Sequence, residues 1–463
     1  MIDEREILRR RDMRDSFTFT IDPADAKDFD DAISFEILPQ EDSSTLNAQR
    51  STLYQIGVHI ADVSHYVKPN TKIDDEAYKR GTSTYLVDRV IPMLPEELSN
   101  DLCSLRPGED KLCMSVVFLM DADARVLKYK ICRTVIRSDA RLNYDEVQAI
   151  ISANQTNETQ SRDYREGVIS GSSRGQLLVD CCVAPQLGVP LQQAILTLNA
   201  LATKLRAERL ANGALAIEQD EVKFKLDENK HPIDIYFESP NEAHHLIEEF
   251  MLLANRTVAK AVGFGRPFVY RVHDLPDNEK LDELKKFKKR MGKRIPQQTI
   301  DLLTIRAQAK AVYSTYNIGH YGLAFSHYTH FTSPIRRYPD LMVHRLVEKY
   351  ILTGKPCSLT RAELEEKCEH CSACEQEAAQ AERDSVKLFQ TIWMSDHVDE
   401  VFTGHITGTT DFGFFVQLDE NRCEGLVHMM TIEHPEDFIL GDEVKVKVVR
   451  VNVNRSQIDF ELV

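Results

Sequence analysis

Five aspartates fall within ten residues near the start of the chain in TIDPADAKDFDDAIS, and four of them, Asp22, Asp28, Asp30 and Asp31, are spaced D-x5-D-x-D-D. Carboxylates crowded in this way repel one another or take up protons, and a hard divalent cation bound through oxygen removes the conflict. Magnesium is the natural ion for such a set. The alternative is an acidic solvated loop, because aspartates also cluster in turns. Ahead of the cluster, Phe17, Phe19 and Ile21 alternate with Thr18 and Thr20, which predicts a half-buried strand that delivers Asp22 to a surface or cleft.

Other reactive side chains point less clearly to chemistry. Cys368, Cys371 and Cys374 lie three apart with His370 among them. Residues at that spacing drift around a helix and no further ligand pair follows, so they read as a small-residue packing stripe rather than a metal site. His59 and His65 in GVHIADVSH read as hydrogen-bonded structural residues. The densest basic run, Lys285, Lys286, Lys288, Lys289, Arg290, Lys293 and Arg294, could touch a phosphate backbone or form a solvated helix face. A formal net charge of −16 argues against a uniformly basic surface that coats nucleic acid, yet leaves room for a local basic channel.

The elements that must position these groups follow from periodicity. Strand-like alternation covers Tyr54 to Ile60, Met114 to Leu119 and Val126 to Ile136, and helical stretches cover about 186–211, 241–262, 278–290 and 297–315. This predicts one large α+β domain over the first 350 or so residues. Polar inserts at about 40–52 and 154–175 read as exposed loops, and the sequons at Asn154 and Asn157 as accidental. A long helix over about 360–395 opens with a capping box in which Thr360 caps and Glu363 reaches back. From about 400 to Val463 five short strands are expected. No apolar run is long enough to span a bilayer and MIDEREILRRRDMRD lacks the core of a signal peptide. Ten cysteines without framework spacing then read as reduced thiols in a cytoplasm.

The aspartate cluster, together with HYTHFTSPIRRYPDLMVHR from His327 to Arg345, resembles the RNB catalytic domain of the RNase II and RNase R family of exoribonucleases. GVHIADVSHYV at 57–67, TYLVDRVIPMLPEELSNDLCSLRPGE at 84–109 and EAHHLIEEFMLLANRTVA at 242–259 agree in the same order. RDMRDSFTFTID looks closer to the RNase R branch. The segments VFTGHITGTTDFGFFVQLDENRCEGLVHMM and GDEVKVKVVRVNVNRSQIDFELV resemble an S1 domain, an OB-type barrel that binds single-stranded RNA. The implied architecture is α+β, an RNB domain over 1–397 and an all-β barrel over 398–463. The family usually carries two cold-shock-type barrels ahead of the RNB domain, whereas here only about twenty residues precede the aspartates; a short form or a fragment would both give this.

The resemblance implies a magnesium-dependent hydrolase, with manganese also acceptable, that shortens single-stranded RNA from its 3′ end and releases nucleoside 5′-monophosphates. Asp22, Asp28, Asp30 and Asp31 are the implied metal ligands, and Asp30 is the one on which cleavage depends most. Arg336 matches the arginine that grips the scissile phosphate, and Glu382 a glutamate lining the catalytic cavity. Tyr85 matches the tyrosine that stacks on the last base. Its usual aromatic companion has no clear equivalent near 270–279. Tyr328 is a candidate RNA contact or a core residue, and Arg337 a salt-bridge partner of Asp340. On the barrel, Phe412, Phe415 and His428 match base-stacking positions. The chain is expected to act as a monomer without membrane attachment. The competing readings are a catalytically silent RNA-binding protein that keeps both shells, and an endonuclease or DNase using the same metals.

Overall fold

The largely apolar segments 53–61 and 112–120 pair at the centre of a seven-stranded sheet. The computed structural model of the protein describes residues 2–38, 52–165, 188–216, 220–277, 308–432 and 438–463, together with residues 282, 285, 286, 289, 304 and 434. Its first strands are β1 (Arg11–Asp12), β2 (Thr18–Asp22), β3 (Asp31–Leu38) and β4 (Leu53–Ala61). A short hairpin of β5 (Thr84–Tyr85) and β6 (Val90–Ile91) stands apart, and β7 (Asp110–Asp121), β8 (Val126–Arg137) and β9 (Ala140–Asn143) complete the sheet. The strand order is β1-β8-β7-β4-β3-β2-β9. β1 lies parallel to β8 and β2 parallel to β9, while the other neighbours are antiparallel.

This topology places the aspartates. β2 pairs with β3 only at Thr18–Ser34 and Phe19–Ile33, and beyond that point it pairs with β9 through Asp22–Asn143. Asp22 therefore ends one strand, Asp31 begins the next, and Asp28 and Asp30 sit in the connection between them. The expected half-buried strand is buried along its whole length, Thr18 to Asp22 included. Its two edges are taken by β3 and β9, and the helix Tyr144–Arg165 packs against it.

Three helices, Tyr144–Arg165, Gly188–Ala211 and Glu242–Val262, contribute apolar faces to the same core as the sheet. In Glu242–Val262 the buried residues Ala243, Leu246, Phe250, Leu253 and Ala254 recur at helical spacing, and Asn241 caps the first turn in a capping box with His244. The polar stretch after Asn154 is helical as far as Arg165 rather than a loop. No glycine or proline interrupts Tyr144 to Arg165, so nothing in that stretch breaks the helix. The expected helix over 297–315 is corrected at its end: Val312–Ser314 forms β13, antiparallel to β12 (Tyr270–Val272), as suits a β-branched residue followed by an aromatic one. The insert at 40–51 and residues 166–187 lie outside the described residues, as do Lys288, Arg290, Lys293 and Arg294 of the basic run. Lys285, Lys286 and Lys289 are helical and exposed.

The long helix spans Arg361–Ser395 and begins with the Thr360 and Glu363 capping box. Beyond it, β14 (Val401–Thr410), β15 (Gly413–Leu418), β16 (Glu424–His428), β17 (Glu443–Asn452) and β18 (Gln457–Leu462) close into a barrel of order β14-β15-β16-β18-β17. Phe414, Val416 and Leu418 alternate inward on β15 and fill its core. A hairpin of β10 (Glu221–Leu226) and β11 (Pro232–Glu238) adds Ile235, Val222 and Phe224 to that core, next to Met394 of the long helix. Among the described residues no helix is long and apolar enough to cross a membrane.

Candidate active site

Asp30 is the best-held of the four carboxylates. One oxygen accepts a hydrogen bond of 2.9 Å from the Ile335 backbone N–H, and its own carbonyl accepts from Ala61 at 2.8 Å. These two contacts join the aspartate loop to the SPIRRYPD segment and to the end of β4. The second Asp30 oxygen lies 3.9 Å from Arg336 Nε. Asp22 is also buried, and its Oδ2 has no hydrogen-bond partner. Arg141 on β9 donates to the carbonyls of Pro23 at 3.0 Å and Ala24 at 2.7 Å and sits 5.0 Å above the Phe29 ring, so it clasps the loop between Asp22 and Asp28.

The arginine reaches the cluster through a second docking contact. Ser83 N–H and Thr82 Oγ1 both donate to the Arg336 carbonyl, at 2.9 and 3.0 Å, and Tyr338 N–H donates to the Gly81 carbonyl at 2.9 Å. Gly81 itself has φ +69, and a Cβ there would lie 2.6 Å from Cys374 Cβ on the long helix. The close approach explains the small residues of the helix at this level: Cys368 and Cys371 are buried, as a packing stripe requires. Two residues past Ser83, Tyr85 donates its backbone N–H to Glu382 Oε1 at 2.9 Å, and Val87 N–H donates to Ser385 Oγ at 3.1 Å. Tyr85 as a residue stays 40% exposed, open to a ligand. Arg336, Tyr85, Glu382 and the aspartates thus meet in one place.

The electrostatics are those of an unneutralised anionic site. Burial pushes Asp22 up to about 8, reinforced by the Asp31 and Asp28 charges and only partly offset by Thr20 and Arg141. Burial likewise lifts Asp31 to about 7 against the pull of Arg336 and Arg337, and raises Asp28 and, strongly, Asp30. The Tyr85 phenol rises to about 12 through burial, with Arg336 opposing and Asp28, Asp30 and Glu382 adding to it. Among the described residues no three His, Cys, Asp or Glu side chains stand close enough to hold one ion as they are. The unpartnered Asp22 oxygen and four carboxylates with raised affinities for protons nevertheless fit an oxygen-seeking divalent cation, since its charge would replace the protons.

Other expected residues take structural positions. Arg337 donates to Asp340 at 2.8 Å, both buried or nearly so. Tyr328 is corrected as an RNA contact: it is 5% exposed, its hydroxyl accepts from Asn255 at 3.3 Å, and its ring packs edge-on against His320 and His330. His59 bridges Ser115 and Ser34 at 2.8 Å each, and burial drives it down to about 3, so it is a neutral core residue. His65 lies beside Glu6 and Arg10. On the barrel, Phe412 is 58% exposed at the β14–β15 turn, and Phe415 and His428 lie half-buried on the outward side of β15 and β16. Gly413, opposite His428, has φ +155 and no room for a Cβ against the Val427 carbonyl, which holds the turn carrying Phe412 close to the sheet.

Sequence reasoning passed over Arg141 and Ser385, whose partners lie more than a hundred residues away. It also passed over Tyr144, which stacks on His244 with centroids 3.9 Å apart and feels the Asp31 and Asp22 charges. Only the three-dimensional contacts reveal them.

Comparison with known proteins places this geometry. The RNB domain model matches residues 10–353 and the S1 RNA binding domain model residues 395–462. Ribonuclease R of Thermotoga maritima is 39% identical over 99% of this chain and 66% of its own length, and that of Aquifex aeolicus 38% identical over 100% and 66%. The chain therefore spans just under two thirds of the length of these relatives. The structure of Mycoplasma genitalium RNase R in complex with ribose-methylated single-stranded RNA superimposes with a TM-score of 0.83 at 26% identity, covering 100% of this chain and 73% of that one. With the catalytic and barrel models matched in order along nearly its whole length, the chain belongs to the RNB-domain family, in its ribonuclease R group.

Proposed function

We propose that this chain is a 3′-to-5′ exoribonuclease that hydrolyses single-stranded RNA to nucleoside 5′-monophosphates in RNA turnover, acting as a cytoplasmic monomer with a catalytic unit to about residue 397 and an S1 unit beyond it. The observation that carries the reading is the meeting of four undercompensated carboxylates, Asp22 and Asp30 buried and Asp28 and Asp31 partly so, with Arg336 and a half-exposed Tyr85. The names of its relatives support the same activity.

Asp22, Asp28, Asp30 and Asp31 would hold divalent metal, magnesium or manganese, whose charge neutralises the scissile phosphodiester and activates water for attack. Asp30 is fixed by Ile335 N–H, so its position does not depend on the ion. Arg336, with its side chain 42% exposed, presents a guanidinium fork to a phosphate between that carboxylate and the Tyr85 ring. Tyr85 offers a face for the terminal base, which fixes the phosphodiester that meets the carboxylates and gives end-directed cutting. Glu382 holds the Tyr85 backbone and adds negative charge to the cavity wall. Phe412, Phe415 and His428 offer sequence-tolerant stacking to the RNA upstream.

The test uses 5′-labelled single-stranded RNA with the wild-type chain and with Asp30→Asn, in magnesium and then in EDTA. A ladder that shrinks from the 3′ end to a short limit product is expected, abolished by EDTA and reduced at least about a hundredfold by Asp30→Asn, as for loss of a transition-state electrostatic contact. Gel-shift binding should survive the substitution. Intact RNA in every lane with binding retained would make the chain an RNA-binding protein that keeps the shell without the chemistry.

A further inference from the structure

We propose that the β10–β11 hairpin is a strut that ties the Tyr85 loop to the barrel, with Lys230 and Asp88 as positioning residues for the end-reading tyrosine. The inference rests on the exoribonuclease reading for its consequence and on separate contacts for its existence. Asp88 closes the tight turn of the β5–β6 hairpin, three residues after Tyr85, where Leu86 N–H donates to the Arg89 carbonyl at 2.9 Å. Its side chain is only 8% exposed although it is charged, and Lys230 Nζ reaches its Oδ2 at 3.0 Å from the tip of the β10–β11 hairpin.

That tip is built to hold one shape. The Asp227 side chain accepts from the N–H groups of Asn229 and His231, each at 2.8 Å, and Asp227 and His231 pair through the backbone at 2.9 Å. Lys230 is thereby held at φ +64, a region where glycine or asparagine is at ease and lysine is not. A long charged side chain at that backbone angle, reaching Asp88, points to a use for its reach.

The other end of the hairpin is anchored to the barrel in the same manner. Arg422, between β15 and β16 and itself at φ +53, donates to the Asp220 carbonyl at 3.1 Å and to its carboxylate, and lies 4.6 Å over the Phe237 ring. Ile235 enters the barrel core, and His231 meets Asp396 at the end of the long helix at 2.7 Å. A displacement of the barrel as RNA loads on its outer face would be carried by this rigid hairpin to Asp88, and so to the ring that meets the last base. Glu382 and Ser385 hold the same loop from the long helix, which is itself joined to the barrel through Met394 and the Gln390 to Asn421 hydrogen bond, so the Lys230 contact is a second tie from the barrel side.

The experiment compares full-length wild-type chain with Lys230→Gly, Lys230→Arg and Tyr85→Ala by two readouts, the limit product from 5′-labelled oligoadenylate and amide hydrogen exchange over residues 84–91. Glycine suits φ +64, so Lys230→Gly should leave the thermal midpoint unlowered, which separates loss of the link from general destabilisation. It is expected to speed exchange of the Tyr85 and Val87 amides at least about threefold. Its limit product should lengthen in the same direction as that of Tyr85→Ala, because short RNA held by a loosened stack escapes sooner. Lys230→Arg should keep wild-type behaviour in both. Unchanged exchange in Lys230→Gly overturns the strut, and faster exchange with an unaltered limit product overturns its role in end reading. Should the wild-type chain fail to shorten RNA, the exoribonuclease reading falls, and the exchange data alone decide whether the tie exists.

Discussion

At the scale of single residues the aspartates carry a pH dependence whose sign is opposite to that of an ordinary salt-bridged carboxylate. Without cation, burial lifts Asp22 to about 8 and Asp31 to about 7 from the usual 3.8, and raises Asp28 and Asp30 in the same direction. From about pH 4 to pH 8 the folded chain therefore keeps protons that the unfolded chain has lost, so these groups stabilise the fold at the acid end and that stability drains away as pH rises. A divalent ion binds the ionised form and must displace those protons. The metal-free protein is accordingly expected to melt at a lower temperature at about pH 8 than at about pH 5.5. The rise in midpoint given by a fixed excess of magnesium should grow over the same interval and shrink in Asp22→Asn. Differential scanning calorimetry at the two pH values checks this, and a magnesium effect equal at both would mean that these carboxylates are not where the ion binds.

At the scale of elements, the close contact of the 81–83 loop with the long helix is the joint on which the site turns. Gly81→Ala forces a Cβ against Cys374 at a backbone angle that alanine avoids, and should cost about 1–3 kcal/mol in urea unfolding. Because Ser83 and Thr82 hold the Arg336 carbonyl, cleavage should fall further than folded fraction does, measured as kcat/KM on protein shown to be folded. The same joint shows what the sequence could and could not disclose. The strands from Leu53 and Asp110, the helices Gly188–Ala211 and Glu242–Val262, and the capped helix from Arg361 were legible, since periodicity and caps are local signals. The stretch beyond Asn154 was not, because polar residues without helical periodicity do not distinguish a helix from a loop. Tyr85 and Glu382 are 297 residues apart, and nothing in ERDSV distinguishes a glutamate that holds a distant backbone N–H from one on a solvated face; family likeness singled it out, and the fold explains it. Tyr328 shows the reverse case, a polar aromatic in a motif-rich segment that the fold consigns to the interior.

At the scale of the whole molecule, a chain of net charge −16 has to confine its attraction for RNA to particular surfaces, so affinity should depend on how many of them one RNA can reach. On the proposed reading the carboxylate site with Arg336 and Tyr85 would be one such surface, and the outward face of β15 and β16 with Phe412 at its edge a second. A base stacked on an aromatic ring contributes roughly 1–3 kcal/mol, about five- to a hundredfold in Kd. Phe412→Ala, at an exposed turn, should leave the barrel folded and weaken binding by that factor only for RNA long enough to occupy both surfaces at once. Short oligonucleotides confined to the catalytic cleft should bind the variant as they bind the wild-type chain. Fluorescence anisotropy across a series of oligoadenylate lengths, using Asp30→Asn protein so that substrate survives, would show the two Kd curves coincide at short lengths and part beyond a threshold. A uniform loss at every length would place Phe412 in the path to the cleft rather than on a separate platform, and no loss at any length would remove it from the RNA surface.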